Sequence, residues 1–231
     1  SDLDSLAWDP RISNISLIGG EPFLRRDIFE IMDFIQEKGY GILITTNALL
    51  ITNKIAKRLS TYSQLQVSVS LDGSCPETHE LIRGKGTFDK TIRSIKMLVQ
   101  AGVTTNANIF VHRENFDDLA ATINLAKEIG ITSLNANTLM RVGRGLTDEI
   151  EPVTRKELYR AMFETAKHDP SIASLIENST FANKIVAIAS GFKTKYCGIG
   201  SNRAIYVRAD GNLYPCSDTC VPDFYLGNVV N

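Results

Sequence analysis

The segment with the clearest capacity for chemistry is residues 16–23, an apolar strand that ends at Gly19 and Gly20 and is followed by Glu21 and Pro22. Because glycine has no Cβ, a ligand can reach backbone carbonyl and N–H groups at such a strand end. Glu21 adds a carboxylate beside this opening, and Pro22 suits the first turn of a helix. The pattern is typical of a ligand-binding corner between a strand and a helix, and it also fits a tight turn that binds nothing.

Hydroxyl, amide and carboxyl side chains also lie on or just after the next three predicted strands. They are Thr45, Thr46 and Asn47 on the second strand, Ser68, Ser70 and Asp72 on the third, and Asn106 and Asn108 on the fourth. Asn and Asp are ordinary turn formers, so Asn47 and Asp72 also have a purely structural explanation. Together these groups would surround one end of a parallel sheet, which is a common arrangement around a small polar ligand.

The cysteines are unevenly distributed, since Cys197, Cys216 and Cys220 lie close together and Cys75 stands alone much earlier. This crowding disfavours a disulfide framework and favours a metal or cluster site, or a local redox pair, in a reducing compartment. Thiolates suit both zinc and iron–sulfur clusters. A closed four-thiolate site would need one ligand from elsewhere, and the alternative is a buried thiol with two free ones.

Composition excludes several classes of function. The 231 residues are 43% apolar, and 25 Lys and Arg residues against 26 Asp and Glu residues leave a net charge of −1. That balance supplies no field for attracting nucleic acid or an anionic membrane. No run approaches the roughly 20 apolar residues of a membrane helix, and no secretory signal is visible. We therefore expect a cytoplasmic protein with no nucleic-acid and no membrane partner.

Strand-like and helix-like runs alternate through the first part of the sequence. The predicted strands are residues 15–18, 42–46, 66–71, 104–111 and 132–139, and the predicted helices are residues 28–37, 53–59, 88–100 and 116–128. Such alternation is typical of an α/β fold with a parallel sheet, either part of a (β/α) barrel or an open doubly wound sheet. In both, ligand groups lie at the carboxyl ends of the strands.

The pattern changes after this alternation. Residues 154–167 and 181–190 are predicted helices. Residues 204–208 and 213–215, joined by an Asp-Gly turn, are a predicted β-hairpin. We therefore predict two domains, a barrel-like domain with trailing helices at 1–192 and a small module at 193–231.

The motifs together resemble the radical S-adenosylmethionine (radical SAM) enzymes that carry a C-terminal SPASM or twitch auxiliary-cluster domain. The resemblance covers almost the whole sequence. It rests on Gly19 to Pro22, Ser70 to Gly73, His79 to Gly84, Gly86 to Phe88, and Cys197 with Asp210 to Cys216. It implies a partial (β/α)6 TIM-like barrel, with the first βα unit apparently missing, followed by a small β-hairpin module for an auxiliary cluster.

The resemblance also implies roles for particular residues. Gly19, Gly20 and Glu21 would hold the methionine ammonium of S-adenosylmethionine (SAM), which suits exposed carbonyls and a carboxylate. Ser70 would contact the methionine carboxylate or the ribose, and Arg83 would pair with a carboxylate. The full implied sets are Gly19, Gly20, Glu21, Ser70, Asp72, Arg83 and Asn108 for the cofactor, and Cys197, Cys216 and Cys220 for an auxiliary iron–sulfur cluster. No catalytic residue is assigned.

Two features depart from the family pattern. The Cys-x3-Cys-x2-Cys motif that binds the family's [4Fe–4S] cluster is absent from the sequence. We expect that the sequence starts after the first βα unit and stops inside the auxiliary domain, and that it does not cleave SAM by itself. Ser217 follows Cys216 where sulfatase-maturating relatives carry an aspartate, and the acid comes one position later at Asp218. Sulfatase maturation is therefore not assigned.

The expected function of the parent enzyme is peptide or protein maturation. Its 5′-deoxyadenosyl radical would abstract hydrogen from a bound, ribosomally made peptide, with flavodoxin or ferredoxin as electron donor. This expectation follows from the domain pairing and not from the site itself. Two other classes stay open: a non-catalytic barrel that binds a peptide or partner and holds structural zinc, and an aldolase-like or sugar-phosphate barrel. The last lacks support, because His79, His112 and His168 are scattered.

Overall fold

The computed structural model describes residues 14–138, 151–172, 175, 205–216 and 220–229. These residues belong to two compact units, which we describe separately: the large unit contains residues 14–175, and the small unit contains residues 205–229. Cys197 and the predicted helix at 181–190 lie outside the described residues. The predicted domain boundary after residue 192 lies there too and stays a prediction.

The large unit alternates strands and helices along its length. Its strands are β1 (Asn14–Leu17), β2 (Gly41–Thr46), β3 (Leu65–Ser70), β4 (Thr104–Val111) and β5 (Ser133–Thr138). Its α-helices are α1 (Ile28–Glu37), α2 (Asn53–Leu59), α3 (Pro76–Arg83), α4 (Phe88–Gln100), α5 (Leu119–Glu128) and α6 (Arg155–His168). The strands form one parallel sheet in the order β1-β2-β3-β4-β5. This confirms the predicted α/β class and the parallel sheet.

Apolar side chains cover one face of this sheet. Val67 and Val69 of β3, Ile109 of β4 and Leu134 of β5 are buried there. The helices pack their apolar stripes on the same face, as amphipathic helices do beside a parallel sheet. The buried helix residues include Met32 and Ile35 of α1, Leu59 of α2, Ile95 and Leu98 of α4, Ile123 of α5 and Met162 of α6. Since successive strand residues point to opposite faces, the alternate positions form a second face.

We call that second surface the polar face. It is formed by Ser68 and Ser70 of β3, Asn106 and Asn108 of β4, and Ser133, Asn135 and Asn137 of β5. The register places these residues side by side across the three strands. A closed barrel usually fills its interior with branched apolar side chains. Here the corresponding positions are hydroxyls and amides, so this surface is suited to a polar ligand.

Several helix boundaries follow from local capping. Thr52 caps α2 by accepting a hydrogen bond at Oγ1 from the Ile55 N–H, 3.3 Å away. Thr154 and Glu157 form a reciprocal capping box at the start of α6. The Thr154 hydroxyl and N–H and Arg113 all donate to Glu157, and these bonds lower its pKa to about 2. The helix predicted at 154–167 is therefore confirmed, with Thr154 as its cap.

Two helices of the large unit differ from the sequence prediction. Helix α3 was not predicted, although Pro76 at its first turn and the positive-φ Gly84 at its end are ordinary helix boundaries. The helix predicted at 116–128 begins only at Leu119, because residues 113–115 form a separate 3₁₀ turn. Asn115 stabilises that turn by donating from Nδ2 to the carbonyls of Asp72 and Phe110, each at 2.8 Å.

The small unit contains an antiparallel sheet of three short strands, β6 (Tyr206–Val207), β7 (Asn212–Tyr214) and β8 (Gly227–Asn228). The predicted hairpin is confirmed as β6 and β7, with Gly211 at a φ of +81° in the turn. Strand β8 was not predicted. In the part of the protein that the structure describes, no helix combines the length and apolarity that a membrane crossing requires.

Candidate cofactor site

The diglycine corner, which we define as Gly19, Gly20 and Glu21, directly follows β1. Both glycines are exposed, and Gly19 has a φ of +148°, a conformation that residues with side chains rarely adopt. A Cβ added at Gly19 or Gly20 would meet no atom within 4 Å. The backbone at this strand end therefore borders open space, which a ligand can enter.

Glu21 connects the ends of β1 and β2. Its Oε1 accepts hydrogen bonds from the Thr46 hydroxyl at 2.8 Å and the Phe23 N–H at 3.1 Å. Its Oε2 accepts one from the Asn47 N–H at 2.8 Å. A carboxylate has about four lone-pair sites, so these contacts leave one on Oε2 for a ligand donor. The carboxylate is thus fixed in place and still able to bind a cation.

The loop after β2 is held in an unusual conformation beside Glu21. Ala48 has a φ of +62° although it is not a glycine, and it is fully buried. The Thr46 hydroxyl accepts a hydrogen bond from the Ala48 N–H at 2.9 Å and thereby supports this turn. Non-glycine residues in this region cost energy and are concentrated at functional sites. The strain lies where the Glu21 carboxylate is anchored.

Asp72 is fully buried just after β3 and pairs with Arg83 of α3. Its Oδ2 accepts from Arg83 Nε at 2.5 Å, and its Oδ1 accepts from the Phe110 N–H at 2.7 Å. Its own N–H donates to His79 Nδ1 at 3.2 Å. Both carboxylate oxygens are therefore engaged within the protein, and Asp72 acts as an anchor for Arg83.

Arg83 itself remains partly accessible, with 31% of its side chain exposed. Asp72 contacts only Nε, and among the described residues no hydrogen bond is made by the two terminal nitrogens. Those nitrogens form the planar fork that binds a carboxylate with two hydrogen bonds. Arg83 is thus held at one end and has its carboxylate-binding end available.

Ser70 and Asn108, two further predicted cofactor residues, are neighbours in the β3–β4 register. Ser70 is 8% exposed, and Asn108 is half-buried and accepts at Oδ1 from Asn135 Nδ2 at 3.5 Å. Both belong to the polar face near the carboxyl ends of the strands. The structure thus places the predicted cofactor residues at the same end of the sheet.

Asp118, just before α5, anchors the loop between β3 and α3. It accepts from the Ser74 N–H at 2.7 Å, the Ser74 hydroxyl at 2.5 Å and the Thr78 hydroxyl at 2.6 Å. Desolvation raises the pKa of Asp118, but these hydrogen bonds outweigh it and hold that pKa below its usual value. The network fixes the start of α3, and with it the helix that carries Arg83.

Gly73 allows the close contact between this loop and α3. A Cβ at position 73 would lie 2.1 Å from Thr78 Oγ1 and 2.5 Å from the His79 backbone nitrogen. Since the backbone of a helix does not move aside locally, we expect Gly73→Ala to lower the free energy of unfolding by about 2 kcal/mol. Urea denaturation followed by circular dichroism measures this change. Gly20→Ala is the matched control, and its free energy of unfolding should equal that of the wild type. Equal stability of Gly73→Ala and Gly20→Ala would contradict the packing argument.

Two buried histidines lie close to the Asp72–Arg83 pair. His79 is 1% exposed and His112 is fully buried, and the Nε2 atom of each finds no hydrogen-bond partner among the described residues. Desolvation lowers the pKa of both rings. It outweighs the opposing effect of the Asp72 carboxylate on both and of the Glu114 carboxylate on His112. Both histidines are therefore neutral in the folded protein at neutral pH.

This burial predicts an acid-sensitive fold. An unfolded histidine has a pKa of about 6.5, so below that pH the unfolded state binds protons before the folded state does. The contribution of these two histidines to the free energy of unfolding should therefore be constant above about pH 7 and be lost as the pH drops below about 6.5. Urea titrations across this range measure the slope. His79→Gln should reduce this slope, and an unchanged slope in a His79→Gln/His112→Gln variant would refute this explanation.

The predicted metal ligands are only partly within the described residues. Cys216 and Cys220 are half-buried, and Cys220 Sγ lies 3.8 Å from the Cys216 carbonyl oxygen. Cys197 lies outside the described residues. Within the described ranges, no three His, Cys, Asp or Glu side chains come together as a metal site. The auxiliary-cluster assignment therefore stays a prediction.

The sequence matches the family model described as the radical SAM superfamily over residues 2–126, which is more than half of its length. The chain belongs to the radical SAM superfamily. The partial barrel expected from the resemblance is thereby confirmed, and the parallel sheet of the large unit belongs to it. The chain is also 29% identical over 215 residues to the AdoMet-dependent heme synthase of Methanosarcina barkeri, with 87% of this sequence and 61% of that protein covered.

Two further comparisons give a related sequence and a structure of similar fold. The chain is 28% identical to the mycofactocin maturase MftC of Mycolicibacterium smegmatis, with 94% of this sequence and 55% of that protein covered. The solved structure titled native anSMEcpe with bound AdoMet superposes with a TM-score of 0.73 at 22% identity, with 94% of this sequence and 63% of that one covered. This radical SAM chain thus spans less than two thirds of the length of these relatives.

The residues present can be compared with the two cofactors that the family implies. The diglycine corner fits an ammonium group, and the free end of Arg83 fits a carboxylate, so the site fits the amino-acid end of SAM. The cysteines of the sequence do not match the ligand spacing of the family's [4Fe–4S] cluster. The cysteines at positions 75, 197, 216 and 220 contain no Cys-x3-Cys-x2-Cys spacing, so no reaction step through that cluster is derived from these residues.

Sequence reasoning missed several groups that complete the site. Thr46 and the Asn47 N–H anchor Glu21, and His79 and Asn115 support Asp72. Thr46 and Asn47 are polar strand-end residues in the sequence, but no spacing in it pairs them with Glu21. Asn115 carried no signal, because its contacts depend on a 3₁₀ turn that the sequence pattern does not reveal.

Proposed function

We propose that this chain provides the SAM-binding and substrate-binding surfaces of a radical SAM enzyme that modifies a peptide or small protein. The observation that carries the proposal is the diglycine corner. There Glu21, which follows β1, is held by hydrogen bonds from the end of β2, beside open space that the two glycines leave uncovered. The similarity to the mycofactocin maturase supports the substrate class. Peptide modification is a proposal for this protein, since the similarity covers only part of that relative.

In this proposal each end of the methionine part of SAM has its own partner. The remaining lone pair of Glu21 and the exposed carbonyls at Gly19 and Gly20 bind the ammonium group. The terminal nitrogens of Arg83 bind the carboxylate. Asp72 is a positioning residue here, because both of its oxygens already accept hydrogen bonds inside the protein. Ser70 and Asn108 contribute uncharged polar groups beside the bound cofactor.

When bound and reduced by one electron, SAM would release methionine and supply the hydrogen-abstracting chemistry for the substrate. The protein's own contribution is to bind and orient SAM above the carboxyl ends of the strands. Cys197, Cys216 and Cys220 would hold an auxiliary iron–sulfur cluster, since thiolates are its usual ligands. A flavodoxin or ferredoxin as electron donor belongs to the same proposal.

A second candidate substrate is a tetrapyrrole, because the sequence is 29% identical to an AdoMet-dependent heme synthase. The two candidates differ in charge. A tetrapyrrole of that kind carries carboxylates and requires cationic partners, whereas a peptide backbone requires uncharged donors and acceptors. The chemistry of the substrate-facing surface therefore distinguishes them.

The test uses the protein expressed from its complete reading frame and reconstituted with iron and sulfide. Calorimetry should show one SAM bound per protein molecule, and reduction should yield 5′-deoxyadenosine. S-adenosyl-L-methionine added to the thiol-blocked apoprotein provides the reference for binding without a cluster. A reconstituted protein that binds no SAM would overturn the proposal.

A further inference from the structure

The five parallel strands carry no charge at any position. None of the residues in β1 to β5 is Asp, Glu, Lys, Arg or His. The residues that define the polar face are serines and asparagines, and the same face of β3 and β4 also carries Gln66 and Phe110, which are likewise uncharged. The neutrality is therefore a property of the whole described sheet and not of one strand.

The polar face is ordered in rows by the strand register. Ser68, Asn106 and Ser133 form one row. Ser70, Asn108 and Asn135 form the next row toward the carboxyl ends. Asn137 lies one row further, opposite Phe110, and is exposed. Each amide presents two donor hydrogens and an acceptor oxygen, and each serine hydroxyl can donate or accept, so the rows offer both donors and acceptors without any charge.

Hydrogen bonds link neighbouring amides of the sheet to one another. Asn106 Nδ2 donates to Gln66 Oε1 at 3.2 Å, and Asn135 Nδ2 donates to Asn108 Oδ1 at 3.5 Å. The second contact joins a β5 amide to a residue of the cofactor set. A ligand lying along β5 would therefore be next to the cofactor residues and would meet the uncharged side chains of Ser133, Asn135 and Asn137, with Phe110 beside Asn137.

We propose that Asn135 and Asn137 of β5 are specificity-determining residues that bind the backbone amides of an uncharged segment of the peptide substrate. This inference rests on the proposed function and adds the chemical class of the segment. A peptide group has one donor and one acceptor, and a carboxamide carries both kinds of group. A charged side chain or a carboxylate on the substrate would be desolvated here without an opposite charge, which is unfavourable.

The test is a selection experiment with the SAM-loaded, reconstituted protein. The immobilised protein is offered a randomised library of end-capped peptides, and retained peptides are sequenced by mass spectrometry. We expect charged residues to be depleted at least about 5-fold at the central position relative to the input, about 1 kcal/mol of discrimination. Coproporphyrin III, a carboxylate-bearing tetrapyrrole, is the competing probe and should not displace the peptides.

Charge introduced on the face should change the selection in a defined direction. Asn137→Lys should retain peptides with a central Asp or Glu, and Asn137→Asp should retain those with Lys or Arg. Asn53→Lys, exposed on α2, is the matched control and should leave the selection unchanged. Unchanged selection in both Asn137 variants, no peptide retention, or displacement by coproporphyrin III would overturn this inference. Loss of SAM binding itself would instead refute the proposed function.

Discussion

Gly20→Val should weaken SAM binding at least 100-fold while leaving the fold intact. An added Cβ at Gly20 meets no protein atom within 4 Å, so the folded protein tolerates a side chain there. The same space is the proposed path of the methionine end to the backbone and to Glu21. We expect at least a 100-fold loss of affinity, about 2.7 kcal/mol, measured by calorimetry, with an unchanged midpoint of thermal unfolding.

A graded pair and a matched control make this result specific. Gly20→Ala should show a loss of SAM affinity smaller than that of Gly20→Val, because one methyl group only narrows the opening. Ala121→Val adds apolar volume at an exposed position of α5. It should change neither the affinity for SAM nor the midpoint of thermal unfolding. If Gly20→Val bound SAM as tightly as the wild type, the cofactor would not approach the backbone at this corner.

The elements of the sheet were largely predictable from local pattern. The helices at 28–37, 53–59 and 88–100 and the strand at 104–111 have the predicted boundaries. In each, the apolar period and the flanking residues agree with the final packing, so local and tertiary preferences do not conflict. The membership in the radical SAM superfamily was likewise visible, because its motifs combine glycines and polar residues at fixed strand ends.

The contacts that make the site work were not predictable in the same way. Glu21 was identified as a candidate ligand, but its bonds to Thr46 and Asn47 join residues from two different strands. Such pairs arise from the parallel register, which depends on how the helices pack and not on a local signal. Sequence reasoning identified the chemical groups at the site and missed how they are held.

Asp72 illustrates how burial changes the interpretation of a residue. From the sequence it belonged to the cofactor-binding set, as an acid at the end of a strand. In the structure its side chain is fully buried and bonded to Arg83 and the Phe110 N–H. A buried carboxylate must be paired, and here the pairing orients a cation that is itself partly exposed. The prediction of direct cofactor contact is untested, and the geometry favours an indirect role.

Arg83→Gln should remove the discrimination between SAM and its decarboxylated analogue. Wild-type protein should bind SAM about 100-fold more tightly than decarboxylated SAM, because only SAM has the carboxylate that the Arg83 fork can bind. In Arg83→Gln the affinity for SAM should fall by about that factor, while the affinity for the analogue should stay the same. Calorimetry with both ligands and both proteins completes a double-mutant cycle.

The cycle separates a binding role of Arg83 from a merely structural one. If Arg83 served only to neutralise Asp72, its loss would weaken the binding of both ligands equally. Arg93→Gln, exposed on α4, removes an arginine of the same kind elsewhere and should affect neither ligand. Asp72→Asn keeps the shape of the anchor and removes its charge, so it should weaken SAM more than the analogue. That selective loss is expected only if the buried acid positions Arg83 for the carboxylate.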